Sequence, residues 1–229
     1  MSTSRETILN RLRSVRRPFE DAKPRPANYL PVTRIDDTSP EGLLARFQQE
    51  YKRLSGEVFV VNGDNEARAQ VLSLLKWQST TRIIAWDFAY IPITGLQAAI
   101  RAVGIEIMQP DTHDEFRAET LELARDAQVG LTGADAVAVT TGTLIVSTGP
   151  GKGRIPTVLP PTHVAVVTLS QLIPRIEDWI AIQRATGLPA MRDSANFAFL
   201  SGPSRTGDIE MQLILGVHGP GRVQVVVKR

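Results

Sequence analysis

Hydrophobic residues recur along this chain at two alternating periods. Val58 to Val61 is a short β-branched run. Ala67, Val71, Leu74 and Leu75 follow at spacings of four, three and one, which places them on one helical face. Arg82 to Trp86 reads as the next strand. Thr94 is positioned to cap a helix whose inner face is Leu96, Ala99, Ile100 and Val103 and which ends at Gly104. Ile105 to Met108 predicts a third strand. Thr112 and Glu115 then have capping-box spacing ahead of a helix bearing Phe116, Leu123, Ala124 and Ala127.

Beyond residue 130 the pattern is richer in strands. Ala136 to Val139 and Thr143 to Ser147 predict two strands around the turn Thr140-Thr141-Gly142, and Val164 to Thr168 a buried strand. A helix near Pro174 would turn Ile173, Ile176, Trp179, Ile180 and Gln183 inward. Phe197 to Leu200 and Val223 to Val227 read as strands. A short helix around Ile209 to Leu215, terminated by Gly216, is expected between them. Strands alternating with helices predict the α/β class: a mixed sheet with helices on both faces.

The first forty residues differ. Ile8, Leu12 and Val15 form a thin apolar stripe on a helix over residues 2–16. Five prolines between positions 18 and 40 predict an extended arm, and Ser39-Pro40-Glu41 opens a helix to about Leu54. The expected organisation is an extension over residues 1–40 and a single α/β domain over 41–229.

Charge sharpens that division. Residues 1–34 hold eight basic side chains against three acidic ones, a net +5, which leaves −3 on the rest of a chain whose total is +2. Such an arm suits an acidic partner or nucleic acid. No aromatic residue interleaves with Arg11 to Arg17, which favours a solvated or protein-docking helix over a nucleic-acid contact. The chain contains no cysteine, so it can hold neither a disulfide framework nor an iron–sulfur cluster by itself and has no thiol nucleophile. The polar N-terminus and the lack of a membrane-length apolar run predict a cytoplasmic protein without membrane insertion.

Three segments are dense in Gly, Ser, Thr and Arg, and each follows a predicted strand: Thr140-Thr141-Gly142-Thr143, the loop holding Gly149, Gly151, Lys152, Gly153 and Arg154, and Ser201-Gly202 through Ser204, Arg205, Thr206 and Asp208. Ligands of open α/β sheets bind outside the carboxyl ends of strands. Glycines let backbone amides form an anion nest, and Lys152, Arg154 and Arg205 can pair with carboxylate or phosphate. Ser204 or Thr206 is placed to cap the expected short helix. The same segments also make tight turns without any ligand.

No phosphate loop is present, since Gly153 follows Lys152, and no dinucleotide fingerprint follows an early strand. His113, His163 and His218 lack metal-ligand spacing, so no metal is expected; His163 and His218 remain candidates for the cleft, or are hydrogen-bonded structural residues. No serine stands in a nucleophile elbow. Asp135 is expected to fix a turn through its own backbone.

Gly133-Ala-Asp135, Thr141-Gly-Thr-Leu144, Leu159-Pro-Pro, Ile173-Pro174, Ser201-Gly-Pro-Ser-Arg-Thr206, Asp208-Ile-Glu210 and Gly216-Val-His-Gly-Pro220, in this order, resemble the lactate-utilization (LUD-domain) family over about residues 130–229. The resemblance implies a fold similar to the sugar-phosphate isomerase and CoA-transferase group (NagB/RpiA/CoA-transferase-like). It also implies participation in oxidising L-lactate to pyruvate with two partner proteins that carry the iron–sulfur chemistry; the Gly-, Ser- and Arg-rich segments add the expectation that this chain binds an anionic small molecule. The family usually places a glutamate where Thr140 stands, which puts independent catalysis in doubt. Two other readings stay open: an independent enzyme acting on a phosphorylated, CoA-linked or folate-type substrate, and a docking module built on the basic arm.

Overall fold

The structure, a computed structural model, describes residues 4–15, 33–109, 117–207 and 213–229. The chain divides into two units, Met1–Val32 and Thr33–Arg229. In the first, helix α1 (Ser4–Val15) forms, with Ile8 and Leu12 exposed.

The second unit opens with α2 (Pro40–Arg53). The Ser39 hydroxyl accepts from the Gly42 amide at 3.1 Å, and Pro40 occupies the first turn where no donor is lost. Then follow β1 (Glu57–Val61), α3 (Gly63–Trp77), β2 (Arg82–Ala85), α4 (Leu96–Ala102), β3 (Glu106–Met108), α5 (Arg117–Ala124), β4 (Val129–Thr132), β5 (Ala136–Ala138) and β6 (Thr143–Ser147). The chain continues through α6 (Ile155–Val158), β7 (Thr162–Thr168), β8 (Leu172–Ile173), α7 (Ile176–Ala185), α8 (Pro189–Arg192), β9 (Phe197–Leu200), β10 (Arg205–Gly207), β11 (Leu213–Leu215) and β12 (Arg222–Lys228).

Six strands form one parallel sheet in the order β1-β12-β7-β4-β2-β3. Its central strands are covered on both faces, so they read as unbroken apolar runs: Val164 to Val167 and Val225 to Val227 are fully buried. Ile83 and Ile84 point to opposite faces. Ile83 joins the large core containing the buried faces of α2, α3 and α4, while Ile84 packs with Ala124, Ala127 and Ile155 from the segments around α5 and α6. A smaller mixed sheet, β8-β5-β6-β9, packs on α7 through Trp179, whose ring lies 6.1 and 5.9 Å from those of Phe197 and Phe199.

Four expectations fail. Of the helix expected over Ile209 to Leu215, residues 209–212 lie outside the described residues, and Leu213 to Leu215 is strand β11, antiparallel to β10 with Arg205 opposite Leu215. All three residues are exposed, so no buried face rewards a helix, and cross-strand hydrogen bonds form instead. Gly216 (φ 82°) therefore turns the chain after a strand, and Ser204 and Thr206 cap no helix among the described residues: Ser204 precedes β10 and Thr206 lies within it. Gly95 in the left-handed region, not Thr94, starts α4, and the Thr94 amide donates instead to Asp64. Val103 and Leu123 are exposed because α4 ends at Ala102 and α5 turns Thr120 and Ala124 inward. Thr112, Glu115 and Phe116 lie outside the described residues.

Candidate functional site

The loop after β6 is built from short backbone contacts. Gly149 and Lys152 exchange backbone hydrogen bonds of 3.3 and 2.9 Å across a tight turn at Gly151 (φ 72°). The Asp87 amide donates to the Gly151 carbonyl at 2.8 Å, and the Trp86 indole to the Gly153 carbonyl at 2.7 Å. A Cβ at position 151 would lie 2.9 Å from that of Asp87 and 3.3 Å from the Tyr90 ring, so glycine is required there by both space and conformation. The loop is thereby held against the segment that follows β2, the carboxyl-end position at which α/β sheets bind ligands.

A cavity of about 530 Å³ opens at this junction. Among the described residues its charged lining is Arg154 on the loop, Asp87 after β2 and Asp193 after α8; Gln109 and Thr148 add neutral polar groups. Arg154 is exposed and makes no ion pair among the described residues. The amides of Gly151, Gly153 and Arg154 likewise donate to no partner there.

Lys152, expected to face an anion, is engaged internally. Its Nζ sits 2.5 Å from Asp135 Oδ1 and 3.2 Å from Ser147 Oγ, and 5.1 and 5.4 Å from the ring centroids of Trp86 and Tyr90. A lysine cation beside a carboxylate and over two aromatic faces is already neutralised. Asp135 thus ties the loop to the Ser147 amide, which it also accepts from, instead of fixing its own turn. Arg205 is engaged too: its guanidinium donates to the Leu54 carbonyl and approaches Ser55 Oγ, closing the C-terminal end of α2.

The hydroxyl-rich turn after β5 is equally self-contained. Thr140 is buried, and its amide and hydroxyl both donate to the Pro174 carbonyl, at 3.1 and 2.9 Å. Thr143 Oγ1 links Thr141 Oγ1 at 2.7 Å to Ser201 Oγ at 2.8 Å. Gly142 and Gly202 each take positive φ against Leu54. These residues join the turn, the 201–204 segment and α2.

The remaining candidates gather elsewhere. His163, Ser201, Gly202, Ser204 and His218 line a second cavity of about 270 Å³ at the start of β7 and β12, which shares no lining residue with the first. The two glycine-rich segments therefore do not converge on one cleft. Asp208 and His113 lie outside the described residues. Sequence reading passed over Asp87, Gln109 and Asp193. Asp87 carried a usable signal, since it directly follows a predicted strand end; Asp193 carried none.

Among the described residues no helix is long and apolar enough to cross a membrane. The LUD domain pattern matches residues 44–227. A Lactate utilization protein C of Halalkalibacterium halodurans is 28% identical over 238 residues, covering 99% of this chain and 98% of that protein. The protein of the same name in Macrococcus caseolyticus is 36% identical over 127 residues, 51% of this chain and 53% of that one. A crystal structure of a DUF162 family protein from Deinococcus radiodurans shares the fold, with a TM-score of 0.60 at 21% identity, covering 84% of this chain and all of the other.

Proposed function

The chain belongs to the LUD-domain family, and from that membership we propose that it serves lactate utilization in the cytoplasm as the subunit that binds the carboxylic acid, while two partner proteins carry the iron–sulfur groups that accept electrons. The donor set of this chain does not fit an iron–sulfur cluster, because it contains no cysteine. No redox step is assigned to its residues.

The observation that carries the reading is that one arginine, unpaired among the described residues, shares a single cavity with two carboxylates. L-Lactate carries a carboxylate beside a hydroxyl. Arg154 can take the carboxylate bidentately, with the free loop amides beside it, while Asp87 or Asp193 accepts from the hydroxyl. Two fixed carboxylates disfavour a dianion, so a phosphate ester fits this lining less well than a monoanionic 2-hydroxy acid. The cavity exceeds a three-carbon acid, which leaves room beside the substrate for a group delivered by a partner. Thr140, committed to Pro174, gives no support to a catalytic carboxylate in that turn.

The reading is tested in a host that lacks its own homologue but retains the cysteine-rich partners. The wild-type gene restores growth on L-lactate, and Arg154→Gln does not, although its protein accumulates normally. Full growth with Arg154→Gln would remove the proposed role of the cavity.

A further inference from the structure

The second cavity is lined by a buried histidine. His163 is 1% exposed and lies on β7, which pairs with β4 on one side and β12 on the other. The Thr132 hydroxyl lies 2.8 Å from His163 Nε2 and also 2.8 Å from the Gly133 carbonyl. A hydroxyl has one proton, and a carbonyl can only accept. Thr132 therefore donates to Gly133, and His163 Nε2 carries the ring proton that completes the chain. Nδ1 is left as a bare acceptor with no partner among the described residues. Burial pushes the ring pKa down to about 4, so the imidazole is uncharged at neutral pH and offers no attraction to a carboxylate.

Thr157, Ser201, Ser204 and His218 add polar groups to a lining that is otherwise apolar. Phe199, Pro203, Pro220 and Val223 contribute ring and branched surfaces, and Val158 closes one side. At about 270 Å³ the cavity falls just under the ~300–1,000 Å³ usual for drug-sized ligands. Its size and mixed lining suit an uncharged single-ring guest that carries a hydroxyl.

We propose that this cavity is a binding site for a phenolic group, the ring lying among Phe199, Pro203, Pro220 and Val223 and the hydroxyl donating to His163 Nδ1. The site is independent of the Arg154 cavity and of the lactate reading, since the two share no lining residue.

The test is a titration of the full chain, labelled with 15N-histidine, with p-cresol and with toluene, which has the same ring but no hydroxyl. p-Cresol is expected to bind about 3–10-fold more tightly than toluene, the ratio given by one neutral hydrogen bond, and to move the His163 Nδ1 resonance upfield. Val158→Trp, at a partly exposed wall position, is expected to abolish binding without lowering Tm, and L-lactate is expected not to compete. N-acetyltyrosinamide identifies the source: binding equal to that of p-cresol points to a tyrosine of a polypeptide, and weaker binding to a free phenol. Equal affinity for toluene and p-cresol, an unmoved His163 resonance, or undiminished binding by Val158→Trp would each overturn the assignment.

Discussion

At the scale of single residues, two buried polar groups make opposite statements about stability. His163 has a folded pKa of about 4 against an ordinary 6.5. As pH falls below 6.5 the unfolded chain takes up a proton here that the folded chain refuses. The stability this ring confers is thus fully present above pH 6.5 and is lost progressively down to about pH 4, a loss on the order of 3 kcal/mol. Urea midpoints measured from pH 7 to 4.5 should fall accordingly, and His163→Gln should flatten that slope; an unchanged slope would show that the ring ionises freely. Asp64, held down to about 2 by Lys228 and Thr94, titrates below this window and does not obscure it. Tyr51 is fully buried with a hydroxyl that meets no partner among the described residues, and burial raises its pKa. Tyr51→Phe is expected to stabilise the fold by about 1 kcal/mol and raise Tm by roughly 2–4 °C in a calorimetric scan, because it removes an unpaired polar atom and keeps the ring contacts with Phe47. A lowered Tm would mean the hydroxyl has a partner after all. Sequence alone marks neither group: a histidine next to Val164 and a tyrosine in an amphipathic helix look ordinary until the opposing strand or helix is known.

At the scale of elements, one close approach fixes the first cavity. Gly130 on β4 faces α6 so tightly that a Cβ there would stand 1.7 Å from the Pro156 carbonyl. Gly130→Ala must push α6 away, and Arg154 directly precedes that helix. A loss of about 3 kcal/mol is expected in the denaturant midpoint, the upper end of what overpacking costs; a loss under about 1 kcal/mol would show that α6 is free to move. The alternating sheet and helices were legible because burial imposes period and apolarity directly, as in Val164 to Val167 and in the Ala67-Val71-Leu74-Leu75 face of α3. Leu213 to Leu215 was misread because three exposed apolar residues carry no period, and their state depends on a partner strand. The loop at Gly149 to Arg154 was legible as a tight turn rich in free amides, but not as a contact with another segment. What it approaches, Trp86 and Asp87, lies more than sixty positions away and leaves no local trace.

At the scale of the whole molecule, the charges decide which loop meets a ligand. Lys152, Arg154 and Arg205 are equivalent on paper, since sequence gives the charge of a side chain but not its partner. In the fold Lys152 is spent on Asp135 and Arg205 on the end of α2, and only Arg154 faces a cavity unpaired among the described residues. The account therefore stands on one guanidinium. Calorimetric titration with L-lactate tests it most directly. The wild type is expected to show saturable binding, Arg154→Gln to weaken it at least about tenfold, as loss of a charge-assisted hydrogen bond requires, and Arg205→Gln to leave it unchanged. Equal affinity of the wild type and Arg154→Gln, or equal weakening by Arg205→Gln, would contradict it.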